Sequence, residues 1–164
     1  MLRQCQYETG ETVPLWGESI PLTLTLGRSS VHHGKEGLLL SAPKNADRET
    51  KARILDVFYR EQLHKAISEQ WESCMLKSET EAHEWRIRNM KTRWGSCNVA
   101  KKRIWINLRL AEKPPECLHY IILHELCHLH EREHGRAFWE RMDACCPDWR
   151  AIRKRLNGQN IPCT

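Results

Sequence analysis

A chain of 164 residues matches one compact domain and is long enough to bury a core without staples. No apolar run approaches the roughly 18–20 residues that span a bilayer, and the opening MLRQCQYETGETVPLW lacks the basic-then-apolar pattern of a secretion signal, so a soluble, cytoplasmic protein is expected, with no membrane partner. The net charge of +5 is too modest to establish nucleic-acid binding by itself.

The eight cysteines include the adjacent pair Cys145 and Cys146 and form no CxxC. In a chain of this length without an export signal they read as reduced thiols, not as a disulfide framework or a zinc knuckle.

In chain order, residues 1–18 show no clear period and read as a loosely held arm; 19–164 read as a single domain. IPLTLTLGR (20–28) alternates as a half-buried strand, GLLLSAP (37–43) reads as a second, and SSVHHGKE between them reads as a hairpin connection with solvated His32 and His33. Residues 46–73 carry the longest helical period, with Asn45 or Asp47 as cap, and LKSETEAHE follows as a connection. EWRIRNM (84–90) and RIWINLRL (103–110) alternate as two strands joined across KTRWGSC and NVAKK. Pro115 and Glu116 suit the first turn of a helix running to about Leu129. GRAFWERMDACC and DWRAIRKRLNG read as two further helices, the last with Asp148 as N-cap and Gly158 just past its end.

The chemistry concentrates in YIILHELCHLHEREHGRAFW (120–139). His124 and His128 stand four apart on a predicted helix, so both imidazoles share a face and can converge on one metal. Glu125 lies beside the pair, placed to reach a water and not the ion; this is the HExxH arrangement. Chance alone yields HExxH in such a chain about one time in twenty, so the specific signal is the set completed by His134. That third ligand makes a demand. Ten residues of straight helix rise about 15 Å, so the chain has to bend after Leu129. The expectation is that His130, Glu131, Arg132 or Glu133 ends the helix in a turn conformation, although no Gly or Pro lies there. Three neutral ligands leave Zn²⁺ an open position for a water nucleophile, with Glu125 as general base. His119 and His130 are the spare histidines, both poorly directed to act as a fourth ligand.

Two further residues are candidates for substrate binding. Arg93 offers positive charge to a carboxylate or an oxyanion. Asn107 lies in RIWINLRL, which as an edge strand would hold an extended peptide by strand addition; as an internal strand it would leave Asn107 to cap a turn. Gly95 marks a bulge or a close approach, and Cys97 reads as buried packing.

The ordered run KTRWGSCN, RIWINLRL, PPE and LHYIILHELCHLHEREHGRAFWERMDACCPDWRAIRKRL, over about residues 89–156, resembles the YgjP-like metallopeptidase family, predicted zinc-dependent hydrolases related to the SprT-like proteases. The resemblance implies an α+β, zincin-like fold: a small, mostly antiparallel sheet packed on a long N-terminal helix and the HExxH helix, with C-terminal helices. It also implies zinc on His124, His128 and His134, Glu125 as catalytic base, and a protein or peptide substrate. The spacing to the third His also looks like that of the metzincins, but Glu131 stands where they carry Gly and no Met-turn follows. Hydrolysis of a non-peptide amide, a DNA-guided protease resting on the basic helix 149–156, and a binding module with structural zinc are the competing readings. Oligomeric state is not legible.

Overall fold

The structure is a computed structural model, described here for residues 4–158. Seven strands and four helices follow in the order β1 (Thr12–Leu15), β2 (Glu18–Leu26), β3 (Ser30–Gly34), β4 (Gly37–Ala42), α1 (Arg48–Ser78), β5 (Glu84–Arg88), β6 (Gly95–Asn98), β7 (Arg103–Asn107), a 3₁₀ turn (Leu108–Glu112), α2 (Pro115–Cys127), α3 (Arg136–Cys145) and α4 (Trp149–Asn157). The fold class is α+β, as expected. The strands form two sheets, ordered β1-β2-β4-β3 and β5-β7-β6.

Both sheets are mixed. β1–β2, β3–β4 and β6–β7 run antiparallel, whereas β2–β4 and β5–β7 run parallel. This corrects two expectations. SSVHHGKE is not a plain connection: Ser30–Gly34 is a strand pairing with β4, its histidines exposed. KTRWGSC and NVAKK do not simply join two strands: Gly95–Asn98 is an edge strand antiparallel to β7, which leaves β7 in the middle of its sheet and parallel to β5. Both segments are short and polar on their open side, so neither shows a hydrophobic alternation to read.

Residues 1–18 are also corrected as an arm, for those described. Val13 and Leu15 are buried in the core, and β1 pairs with β2. Arg48 donates to the Cys5 carbonyl at 2.8 Å, Lys51 pairs with Glu8, and the Trp16 amide donates to the Ala111 carbonyl at 2.8 Å. A four-residue strand with two inward side chains is too short for periodicity to reveal it.

α1 starts as expected, with the Asp47 carboxylate accepting from the Thr50 amide at 2.8 Å. It runs five residues beyond the predicted end, because its stop is a left-handed residue at Glu79 (φ 53°) in place of the usual Gly. The Thr80 and Glu79 amides close that cap on the Met75 and Leu76 carbonyls. At the other end of the chain Asp148 makes no side-chain cap bond, contrary to expectation, and Gly158 follows α4 in a right-handed conformation.

α2 is the central element. Pro115 sits at its first position, and all of Cys117–Cys127 except His119 is buried. It lies between α1, α3 and α4, with β6 and β7 across its remaining side. A helix covered on every side fixes the direction of each side chain it carries, and so prepares a site.

Candidate metal centre and cleft

His124 and Glu125 are buried on α2, 5% and 4% exposed. α2 ends at Cys127, earlier than the sequence predicts, and its last bonds tighten: the Leu129 and His130 amides donate to the Leu126 and Cys127 carbonyls at 2.9 and 3.1 Å. The chain therefore leaves the helix at His128 itself, and residues 131–135 carry His134 back over the same face. No described residue between 128 and 135 has positive φ, so the bend needs no left-handed turn residue. The expectation of a break is met; its position and conformation differ.

The bend brings three imidazoles together. His134 Nε2 lies 3.0 Å from His124 Nε2 and 2.9 Å from His128 Nε2. One ligand atom from each of the three falls within 4.8 Å of the other two. The far nitrogens are held. His128 Nδ1–H donates to the Glu131 carbonyl at 2.9 Å, which leaves its Nε2 lone pair facing the cluster. His124 Nδ1 meets the Tyr120 hydroxyl at 3.4 Å. Nitrogens 2.9–3.0 Å apart either share a proton between rings or turn their lone pairs on one cation, and the donor set suits a divalent metal of the zinc type.

Charge reinforces the donor role. Burial pushes the His124 imidazole down to about 3, with His128, His134 and Arg153 adding to the effect. His128 and His134 are also lowered by burial. All three are thus neutral near pH 7, the form that binds metal. Aromatic rings wedge them in place: Phe138 stacks on His128 at 4.6 Å, Trp139 on His134 at 5.5 Å, and Trp149 on Trp139 at 4.3 Å. The Trp139 indole N–H donates to the His134 carbonyl at 3.0 Å. Sequence reasoning missed these partners. Tyr120 was findable from its four-residue offset to His124; Phe138 and Trp139 were not, since only the bend brings α3 over the cluster.

The spare histidines point elsewhere, as expected. His119 Nδ1 lies 2.8 Å from Gln70 Oε1 on α1, and His130 Nε2–H donates to the Glu79 carbonyl at 2.7 Å.

Glu125 faces β6. A Cβ at Gly95 would lie 2.8 Å from both Cγ and Oε1 of Glu125 and 3.0 Å from Ile121 Cγ2, so only glycine leaves the carboxylate its space. Gly95 therefore marks a close approach and not a bulge, pairing regularly with Ile106. Burial raises the Glu125 carboxyl to about 8, opposed by the Arg93 guanidinium. Burial, with Glu125 adding to it, pushes the neighbouring Cys97 thiol up to about 12, too high for a nucleophile at neutral pH.

The histidines and Glu125 open on a cleft of about 1010 Å³ that is also lined by β6 and by Arg93, Trp105 and Arg132. Arg93 thus reaches the site. Asn107 does not: it is fully buried, its amide donates to the Met90 and Arg93 carbonyls at 3.0 and 2.8 Å, and its Oδ1 accepts from the Arg109 amide at 3.0 Å. The expected substrate contact is corrected to the alternative role, capping the 3₁₀ turn and clamping the loop that carries Arg93. The strand that lies open along the cleft is β6, since β7 is paired on both sides.

A family model described as YgjP-like, metallopeptidase domain, matches residues 2–159. No curated protein matches the chain. Among solved structures, the metallopeptidase zymogen of Pyrococcus abyssi abylysin is 20% identical, with 57% of this chain and 93% of that chain covered and a TM-score of 0.52. The metallopeptidase zymogen of Methanocaldococcus jannaschii jannalysin is 24% identical, with 60% and 90% covered and a TM-score of 0.49. The abylysin likeness concerns the fold.

Proposed function

Since the chain belongs to the YgjP-like metallopeptidase family, we propose that it hydrolyses peptide bonds with zinc held by His124, His128 and His134 and with Glu125 as general base. The observation that carries this reading is the convergence of the three Nε2 atoms in one cleft with a buried carboxylate. When bound, zinc supplies Lewis acidity, polarising the scissile carbonyl and easing deprotonation of water. The three imidazoles hold the site neutral and rigid, through the Glu131 carbonyl and the Phe138 and Trp139 rings. Glu125 takes the proton of the attacking water and hands it to the leaving amine. Its buried setting makes it a stronger base than an exposed carboxylate, while the Arg93 guanidinium favours the ionised form. β6 offers unpaired backbone groups to an extended substrate, and Arg93 offers a charge to the developing oxyanion.

Among the described residues no fourth protein ligand joins the cluster, which favours an open position over a structural zinc. The basic helix behind the DNA-guided reading is largely engaged: Arg150 pairs with Asp143, Arg155 pairs with Glu116, and Arg153 stacks on Trp139. Glu125→Gln tests the mechanism. It is expected to lower kcat on a peptide substrate by at least about 100-fold while keeping metal and fold. Wild-type rates in that variant would sink Glu125 as base.

A further inference from the structure

The outer face of the β5-β7-β6 sheet carries a cluster that the hydrolytic step leaves unused. Alternation puts Glu84, Arg86 and Arg88 of β5 on one face with Arg103 and Trp105 of β7, where Glu84 opposes Arg103 and Arg86 opposes Trp105. The guanidinium carbons of Arg86, Arg88 and Arg103 each lie 5.9 Å from the centre of the Trp105 ring. Three cations gathered on one ring repel each other, and Glu84 offsets this in part by pairing with Arg86 and Arg103. Among the described residues Arg88 has no carboxylate partner, and it is exposed.

This cluster is joined to the cleft, because Trp105 belongs to both. Arg93 and Arg132 stand on the cleft wall, exposed. Among the described residues the only carboxylate on that wall is the buried Glu125. A substrate entering the cleft therefore meets a surface on which guanidinium groups outnumber carboxylates, in forks whose geometry matches carboxylates in pairs.

We propose that this face selects substrates by docking an acidic stretch of polypeptide, whose Asp and Glu side chains meet Arg86, Arg88, Arg93 and Arg132 while an adjoining segment of the same chain enters the cleft. The proposal rests on the peptidase reading above. A polypeptide fits better than single-stranded nucleic acid because nucleic-acid grooves offer successive aromatic platforms for successive bases. This face offers one described ring, already crowded by three guanidinium groups.

The test uses the full chain carrying Glu125→Gln, so that binding is read without hydrolysis. Fluorescence anisotropy compares two labelled peptides of equal length, one rich in Asp and Glu, the other with Asn and Gln in their places. The acidic peptide is expected to bind about tenfold more tightly, a margin that shrinks with added salt. Adding Arg86→Gln and Arg88→Gln, exposed positions whose replacement is checked by circular dichroism, cuts that tenfold margin to about threefold, since Arg93 and Arg132 remain. Equal binding before that change, or an undiminished preference after it, overturns the proposal. Oligothymidine binding more tightly than the acidic peptide and weakened by the same pair of changes overturns it in favour of nucleic acid. Failure of the wild type to cleave any peptide would strike the peptidase reading and leave this binding comparison standing, so the two failures are distinguishable.

Discussion

At the scale of single residues, the candidate centre depends on four side chains, His124, Glu125, His128 and His134, that line one cleft. A spacing of four put His124 and His128 on one helix face, with Glu125 beside them; His134 joins them only through the bend after α2, and the structure brings the three imidazoles within reach of one ion. Asn107 was ambiguous because a polar residue at the end of an apolar strand serves equally as a substrate contact or a cap. Its bonds to Met90, Arg93 and Arg109 select the cap. Gly95 could be marked as special, but not explained, since the reason lies on another element: the Glu125 side chain occupies the place of its missing Cβ. Gly95→Ala is therefore expected to lower kcat/KM by about 10- to 100-fold while zinc content stays near wild type, because displacing the carboxylate by a fraction of an ångström spoils its alignment. Steady-state kinetics with elemental analysis checks this; an unchanged kcat/KM would show that Glu125 has slack.

At the scale of elements, segments with a clear hydrophobic period were legible and those without one were not. α1, α2, α3, α4, β2, β4, β5 and β7 follow patterns that a hydrophobic period reveals. β1, β3 and β6 have only four or five residues, and their order in the sheets depends on partners far along the chain. The parallel pairing of β5 with β7 was hidden for that reason, as β6 takes the antiparallel place beside β7. The consequence for β1 is measurable. Leu15 is 3% exposed, so Leu15→Ala should cost about 3 kcal/mol by loss of packing and creation of a cavity. Denaturant unfolding checks it, and a loss below about 1 kcal/mol would restore the picture of a loosely held arm.

At the scale of the whole molecule, the architecture serves to hold α2. One helix carries two of the three imidazoles and the carboxylate, with α1 packed on it, β6 and β7 of the small sheet against it, and α3 brought round by the bend so that Trp139 stacks on His134. A metal held by these three imidazoles binds the native state and not the unfolded chain, so it should stabilise the fold. With free zinc at 100 times its dissociation constant the gain is about 2.7 kcal/mol, and chelation should lower Tm by about 5–10 °C. Calorimetry before and after chelation checks this; coincident transitions would mean that the cluster holds no ion. The most direct test of the central claim is elemental analysis of protein purified without chelator or added metal, beside His134→Ala and His130→Ala. About one zinc per chain in the wild type and in His130→Ala, with most of it lost from His134→Ala, is the predicted result. No metal in the wild type, with none taken up on addition, would contradict the account, because His124, His128 and His134 would then form a packed polar cluster with no hydrolytic centre.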